Sequence, residues 1–227
     1  MTTTTTNASK KGIFLVDDHP LVREWLTNLI NQQSDLAVLG EAETGPQAIE
    51  AMLKLKPDVA IIDISLKDSS GIELIKNLKQ TLPSIAVLVL SMHEESHYAE
   101  RALRAGARGY IVKRETTRKV VVAIRQILAG QPYLSDEIAT ALATQYVAGK
   151  GTLKESPVEQ LSDRELEVFE LLGQGRGTRQ IAEVLRVSVK TVQAYCARIK
   201  DKLKLSSATE LLREAVRWHE NSRKNSM

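Results

Sequence analysis

The apolar run that ends at Asp63 constrains the fold of this chain more than any other stretch. Val59 to Ile62 are all apolar, follow Pro57 closely and lead directly to the carboxylate of Asp63. A run this short and rich in β-branched residues predicts a strand buried on both faces of a parallel sheet. Open α/β sheets bind ligands at the carboxyl ends of their strands. Asp63 is therefore either a site residue at that edge or only a cap for the following loop.

Four more apolar segments of strand length alternate with helical patterns in the first 131 residues. They predict strands over residues 12–16, 36–39, 85–90 and 109–112. Together with the strand before Asp63, they indicate an α/β fold: a doubly wound, five-stranded parallel sheet with right-handed crossovers. Because all its strands end at one edge, several polar side chains should meet there. They are Asp17, Asp18, Asp63, Ser91 and Lys113.

The first connecting helix is predicted to begin at Pro20, a residue favoured at the first helical position. Its apolar residues recur at helical spacing: Leu21, Val22, Trp25, Leu26, Leu29 and Ile30. His19, just before this helix, has no partner at metal-ligand spacing. We therefore interpret His19 as a loop residue.

The expected edge cluster has the composition of a phosphoryl-transfer site. Its three carboxylates repel one another unless a cation lies among them, and oxygen ligands with water suit Mg²⁺. A metal ion and the ammonium of Lys113 would offset the charge of the phosphoryl oxygens while Asp63 attacks as the nucleophile. A flavodoxin-like, metal-dependent phosphohydrolase using Asp63 is one alternative, although the sequence shows no further base and no cap domain.

Residues 11–131 resemble the CheY-like receiver domain of bacterial two-component response regulators. The matching positions are Asp17, Asp18, Asp63, Ser91, Tyr110 and Lys113. The resemblance implies that Asp63 accepts the phosphoryl group, assisted by Lys113, and that Ser91 and Tyr110 act as the switch. Taken singly, Ser91 could instead bond its own backbone and Tyr110 could be a half-buried strand aromatic.

The resemblance also implies a cofactor, Mg²⁺. Its ligands would be Asp17, Asp18, Asp63 and the main-chain carbonyl of Ser65.

The remaining residues divide into tails, a linker and a second domain. Residues 1–10 include five consecutive threonines and predict a disordered tail. Residues 132–157 predict a linker that contains a helix beginning at Ser135. This segment is either a simple tether or a helix that docks between the domains. Residues 158–222 form a wholly helical pattern with four helices, and residues 223–227 a short tail.

Ser162 and Glu165 have capping-box spacing, which predicts the start of the first helix of the second domain.

Two features of the second domain point to nucleic acid. Residues 174–204 contain eight Lys or Arg against two Asp or Glu. The helix after Ser188 places Val192, Cys196, Ile199 and Leu203 on one stripe, which should face the core. Its opposite side is small and polar and is bordered by cations, which suits a DNA major groove, although a solvated basic helix is the simpler interpretation.

The segments L-S-D-R-E-L-E-V, I-A-E-V-L-R-V-S-V-K-T-V-Q and R-I-K-D-K-L resemble the LuxR-type helix-turn-helix of the NarL/FixJ response regulators. The resemblance implies base contacts from Gln193, Ala194 and Ala197. It implies phosphate contacts from Lys190, Thr191, Arg198 and Lys202. Cys196 is interpreted as a small core residue.

We therefore predict a DNA-binding response regulator, rather than an enzyme, switched by phosphorylation of Asp63. The implied partners are a sensor histidine kinase, double-stranded DNA, a second copy of the chain on DNA and, further, RNA polymerase. The single cysteine excludes an intramolecular disulfide, and no run of 18 apolar residues exists, so we expect a cytoplasmic protein without membrane contact. A receiver whose helical domain binds another protein instead of DNA is the remaining alternative.

Overall fold

The computed structural model describes residues 10–66, 70–92, 96–147 and 157–224. Most of the predicted N-terminal tail, residues 148–156 of the predicted linker and residues 225–227 of the C-terminal tail lie outside these ranges. The chain divides into two compact units, Met1–Ser135 and Asp136–Met227. Each unit is described by itself below.

The first unit is a parallel sheet with a helix after nearly every strand. Its elements are β1 (Lys11–Val16), α1 (Pro20–Asn31), β2 (Leu36–Ala42), α2 (Gly45–Leu55), β3 (Val59–Asp63), α3 (Gly71–Thr81), β4 (Ala86–Ser91), α4 (Ser96–Ala105), β5 (Gly109–Val112), α5 (Thr116–Leu128) and β6 (Tyr133–Leu134). The strand order is β2-β1-β3-β4-β5-β6, and every pairing is parallel. This order confirms the predicted doubly wound α/β fold.

The predicted number of strands was one too low. Tyr133 and Leu134 pair with Gly109 and Tyr110 of β5 and extend the sheet past residue 131. A strand of two residues directly after Pro132 has no alternation to detect, so the sequence pattern indicates only a turn there.

The central strands of the sheet are buried, as the apolar runs predicted. All five residues of β3 and all six of β4 are buried. One face packs on α1 and α5, where Leu26, Ile30 and Ile124 contact the strands. Burial on both faces holds the strand ends in fixed positions, and the carboxyl ends of β1, β3, β4 and β5 carry the polar residues described below.

One face of α1 differs from the simple apolar pattern. Leu26 and Ile30 are buried, but Leu21 is 79% exposed, while Arg23 is only 7% exposed. Arg23 precedes Leu26 by three positions and Ile30 by seven, so it lies on the same helical stripe as these core residues.

The second unit is helical. It comprises α6 (Asp136–Val147), which is the helix expected within the linker, and then α7 (Asp163–Gly173), α8 (Thr178–Val184), α9 (Val189–Leu203) and α10 (Ala208–Lys224). The predicted capping box is present: Ser162 Oγ accepts from the Glu165 N–H at 3.4 Å, and the Ser162 N–H donates to Glu165 Oε2 at 2.8 Å. Phe169 of α7 meets Trp218 of α10 with ring centroids 5.8 Å apart. No helix in the described ranges has the length and apolar character needed to cross a bilayer.

Candidate functional site

The expected edge cluster forms at the carboxyl ends of β1, β3 and β5. Asp63 is the last residue of β3, Asp17 follows β1 directly, and both are 2% exposed. Lys113 follows β5, and its Nζ lies 2.6 Å from Asp63 Oδ2 and 2.7 Å from Asp17 Oδ2. One ammonium group therefore bridges two buried carboxylates, as the strand ends predicted.

The charges of this cluster are not balanced by the lysine alone. Burial raises the pKa of Asp63, the charge of Asp17 raises it further, and Lys113 opposes both effects. Burial would lower the pKa of Lys113, but the attraction of Asp63 and Asp17 outweighs it, so that this pKa is raised. A single cation shared by two carboxylates leaves the site negative, which favours the binding of a further cation.

Asp18 and His19 complete the cluster. His19 Nδ1 lies 2.7 Å from Asp18 Oδ1 and 3.0 Å from Asp17 Oδ1. Single ligand atoms of Asp17, Asp18, His19 and Asp63 all lie within 4.8 Å of one another. His19 is a loop residue, as interpreted, but the expectation that it lacks partners was wrong, because the turn between β1 and α1 brings its ring back over the acid pair.

The described residues on the two sides of the loop after Asp63 lie close together. The Ser65 N–H donates to Asp63 Oδ1 at 3.2 Å, and the Gly71 N–H donates to the carbonyl of Ile64 at 2.8 Å. A Cβ on Gly71 would lie 2.2 Å from the carbonyl oxygen of Asp63 and 2.8 Å from Ile64 Cα. Only glycine allows α3 to begin this close to the end of β3, a requirement that the sequence analysis missed.

The two predicted switch residues are buried in the neighbouring strands. Ser91 ends β4 and Tyr110 lies in β5, and both are 0% exposed. Tyr110 is thus a fully buried aromatic rather than a half-buried one. The register pairs Ser91 with Val112, the residue directly before Lys113. Ser91 thus lies on β4, the strand next to β3, and Tyr110 lies on β5, one strand further from β3.

Helix α9 has the two faces that its sequence predicted, with one difference. Val192 and Ile199 are fully buried, whereas Cys196 and Leu203 are only partly so. The predicted base-contacting residues Gln193, Ala194 and Ala197 are all exposed. Burial raises the pKa of the Cys196 thiol, which keeps it protonated and agrees with a packing role.

The predicted phosphate contacts of α9 fall into two groups. Lys190 is exposed, and in the first turn Ser188 Oγ caps the helix by accepting from the Thr191 N–H at 3.0 Å. Lys202 instead lies 2.6 Å from Glu165 Oε2, and Arg198 Nε lies 3.5 Å from Glu165 Oε1. Glu165, the capping residue of α7, therefore pairs with two of the cations that the sequence analysis assigned to DNA phosphates.

Arg198 has a second neighbour. Its guanidinium carbon lies 4.7 Å from the centre of the Tyr195 ring. This cation–π contact places Arg198 between Tyr195 and Glu165.

The first unit carries a buried acid cluster on a parallel α/β sheet. The second unit is helical, and the exposed face of its helix α9 is small, polar and bordered by cations. This combination defines a two-domain signalling protein. Residues 13–125 match the model of the response regulator receiver domain, and residues 159–215 match that of the bacterial regulatory proteins of the luxR family. The chain therefore belongs to the LuxR family of two-component response regulators.

Its relatives include regulators of known name. It is 34% identical over 210 residues to the oxygen regulatory protein NreC of Staphylococcus epidermidis, covering 90% of this chain and 96% of NreC. It is 38% identical over 205 residues to the transcriptional activator protein ExaE of Pseudomonas putida, covering 90% and 95%.

Solved structures of RcsB share the fold. One, from Salmonella enterica serovar Typhimurium, is bound to a promoter in the presence of the phosphomimetic BeF3⁻; it is 26% identical, covers 91% of this chain and 98% of its own, and has a TM-score of 0.58. Another shows two RcsB dimers bound to two parallel DNAs; it is 25% identical, covers 94% and 99%, and has a TM-score of 0.57. The family is one of transcription factors rather than phosphohydrolases.

Proposed function

We propose that this response regulator binds DNA under the control of phosphorylation at Asp63 by a sensor histidine kinase. The observation that carries this proposal is the ammonium of Lys113, which lies 2.6 Å from a buried Asp63 at the end of the central strand. A carboxylate with a cation fixed beside it, at the ligand-binding edge of the sheet, suits nucleophilic attack on a phosphoryl group.

The transfer itself needs little beyond positioning. An oxygen of ionised Asp63 attacks the phosphorus of the kinase phosphohistidine, and the O–P bond forms as the N–P bond breaks. The electron pair of that bond returns to the imidazole of the kinase, which then takes up a proton. Lys113 lowers the pKa of Asp63 against the effect of burial, which favours the ionised form, and offsets charge on the phosphoryl oxygens.

Mg²⁺ fits this site because its acidic ligand atoms lie within 4.8 Å of one another and retain uncompensated charge. Asp17, Asp18 and Asp63 would hold the ion, and the carbonyl of Ser65 is assigned to it by resemblance. When bound, Mg²⁺ neutralises the oxygens of the transferring phosphoryl group. His19 would have to leave the acid pair, which its 42% exposed side chain allows.

Ser91 and Tyr110 are proposed to convert the phosphoryl group into a change of surface. Ser91 is buried in β4, next to β3, and Tyr110 is buried in β5, next to β4, so a shift of either residue repacks the ends of these strands. A change from mostly inactive to mostly active requires the phosphoryl group to favour one state by about 5 kcal/mol.

We propose that α9 binds the major groove through Gln193, Ala194 and Ala197, with Lys190, Thr191 and Arg198 on phosphates. Lys202 has a smaller part in this proposal than its sequence position suggested, because it lies 2.6 Å from Glu165, whereas Arg198 lies 3.5 Å from the same carboxylate. A dimer would place two such helices about 34 Å apart on successive half-sites. RNA polymerase as a further partner and a cytoplasmic location complete the proposal.

The phosphorylation half is tested with a small phosphoryl donor, phosphoramidate, and Mg²⁺. Intact-mass measurement should show the addition of one phosphoryl group to the wild type and none to Asp63→Asn. Equal phosphorylation of the two proteins would exclude Asp63 as the acceptor.

The DNA half is tested by the salt dependence of binding to a mixed-sequence duplex, measured between roughly 50 and 200 mM salt. Lys190→Ala should lower the magnitude of the salt slope by about one for each bound copy. The control is Lys54→Ala, which removes an exposed lysine from the receiver unit and should leave the slope unchanged. Equal slopes for Lys190→Ala and the wild type would contradict the placement of α9 on DNA.

A further inference from the structure

Arg23 of α1 is a buried cation that contacts the backbone of the acid cluster. Its side chain is 8% exposed. Its Nη1 donates to the carbonyl oxygen of Asp17 at 2.7 Å. On its other side, Nη2 donates to Glu43 Oε1 at 2.8 Å, and Nε lies 3.5 Å from Glu41 Oε1.

These contacts fix the peptide that connects the two acids. The Asp17 N–H donates to the carbonyl of Ala42 at 3.2 Å, and Arg23 holds the Asp17 carbonyl, so both ends of this residue are anchored. The Asp17 carbonyl belongs to the peptide bond that leads into Asp18. Any rotation of that peptide would move both carboxylates of the predicted metal site.

The guanidinium is itself held in place by the end of β2. Glu43 and Glu41 have side chains 57% and 49% exposed, so Arg23 reaches from the surface at the end of β2 to the interior behind β1. Its planar fork can donate in both directions at once, which a lysine cannot reproduce.

We propose that Arg23 is a positioning residue for the metal site: held by Glu43, it fixes the peptide between Asp17 and Asp18 in the orientation that binds Mg²⁺. This inference rests on the proposed function, since it concerns the same Mg²⁺ site. Some residues hydrogen-bond to the metal ligands without touching the metal, and replacing them typically weakens metal affinity about 10-fold to 100-fold. Arg23 touches neither the metal position nor the phosphoryl group in this account and acts only through Asp17.

The test is the dissociation constant of Mg²⁺, measured by isothermal titration calorimetry on the full chain. Arg23→Met keeps an apolar stem on the core stripe but removes the guanidinium, and it should weaken Mg²⁺ binding about 10-fold or more. Glu43→Ala leaves Arg23 in place but frees it, and it should weaken binding by a smaller factor, about twofold to fivefold. In the Arg23→Met background, Glu43→Ala should have no further effect.

The matched control is Arg125→Ala. Arg125 of α5 donates from Nε and Nη2 to Asp35 at 2.9 and 2.8 Å, just before the start of β2. It thus ties a helix to the opposite end of the same strand. Thermal unfolding without Mg²⁺ is measured in parallel, since a merely structural arginine would change that transition and leave the affinity of the folded protein unchanged.

The outcomes separate the two proposals. Wild-type Mg²⁺ affinity in folded Arg23→Met, or an equal loss of affinity in Arg125→Ala, would overturn the role of Arg23 and leave the proposed function intact. If Arg23→Met does not fold, unchanged affinity in Glu43→Ala overturns it instead. A wild-type protein that binds no Mg²⁺ would overturn the proposed function together with this inference.

Discussion

Replacing Lys113 with methionine removes the cation that Asp17 and Asp63 share. Both carboxylates are 2% exposed, and their oxygens lie 2.7 and 2.6 Å from the ammonium. Removing one member of a buried ion pair typically costs about 3–5 kcal/mol, because the remaining charge stays buried without a partner. We therefore expect Lys113→Met to lower the free energy of unfolding of the metal-free receiver by that amount at pH 7, a fall of roughly 12–20 °C in Tm.

The loss should depend on pH in a defined direction. Burial and Asp17 raise the pKa of Asp63 above 3.8, and Lys113 opposes them, so the variant should have a still higher Asp63 pKa. The folded variant then binds a proton more readily than the unfolded chain and regains stability as the pH falls toward 4. The pKa of Lys113 is raised from 10.5, so the lysine stabilises the wild type throughout this range. The difference between the two proteins should therefore widen from pH 4.5 to pH 7.

The assay is thermal unfolding followed by circular dichroism, in chelator, at both pH values. Lys54→Met is the control, since its partner Glu50 and Lys54 itself are 74% and 73% exposed, and it should leave Tm unchanged. Equal destabilisation of Lys113→Met at the two pH values, or none at pH 7, would refute the argument that Lys113 compensates two buried carboxylates.

Two further substitutions test other parts of the structure. Gly71→Ala should lower the free energy of unfolding by about 1–3 kcal/mol, because its Cβ would lie 2.2 Å from the Asp63 carbonyl oxygen. Gly177→Ala should have a smaller effect, because its Cβ would meet nothing closer than 3.9 Å and only the preference for glycine at the N-cap of α8 is lost; equal effects would contradict the close approach at Gly71. Lys202→Ala should reduce the salt slope of DNA binding less than Lys190→Ala does, because Lys202 is 2.6 Å from Glu165; an equal reduction would show that Glu165 does not compete with DNA for this lysine.

The fold and the centre of the site could be predicted because they follow from repeating patterns. Each apolar run is long enough to be a buried strand, and parallel strands deliver their final residues to one edge. Asp17, Asp63 and Lys113 are separated by up to 96 positions, yet the structure joins them through 2.6 and 2.7 Å contacts. The capping box at Ser162 is local and was equally readable from spacing.

What the sequence did not predict depends on side-chain direction or on long-range pairing. The ring of His19 turns back over the acid pair, and Lys202 pairs with Glu165 from 37 positions away; neither contact has a periodic signal. Arg23 did leave a signal, because it shares the core stripe of α1 with Leu26 and Ile30. A charged residue on a buried stripe needs a fixed partner, so its position alone indicated a buried contact.

The central claim is that the acid cluster controls the recognition helix, and DNA binding with and without beryllofluoride tests it most directly. The full chain and its Asp63→Asn variant are titrated onto a DNA duplex that has been selected for binding from a pool of random sequences. Mg²⁺ is present, and two salt concentrations are used. The account predicts that beryllofluoride tightens binding by the wild type and has no effect on Asp63→Asn. Strong binding by the wild type that is indifferent to beryllofluoride at both salt concentrations would contradict the claim that Asp63 is the switch.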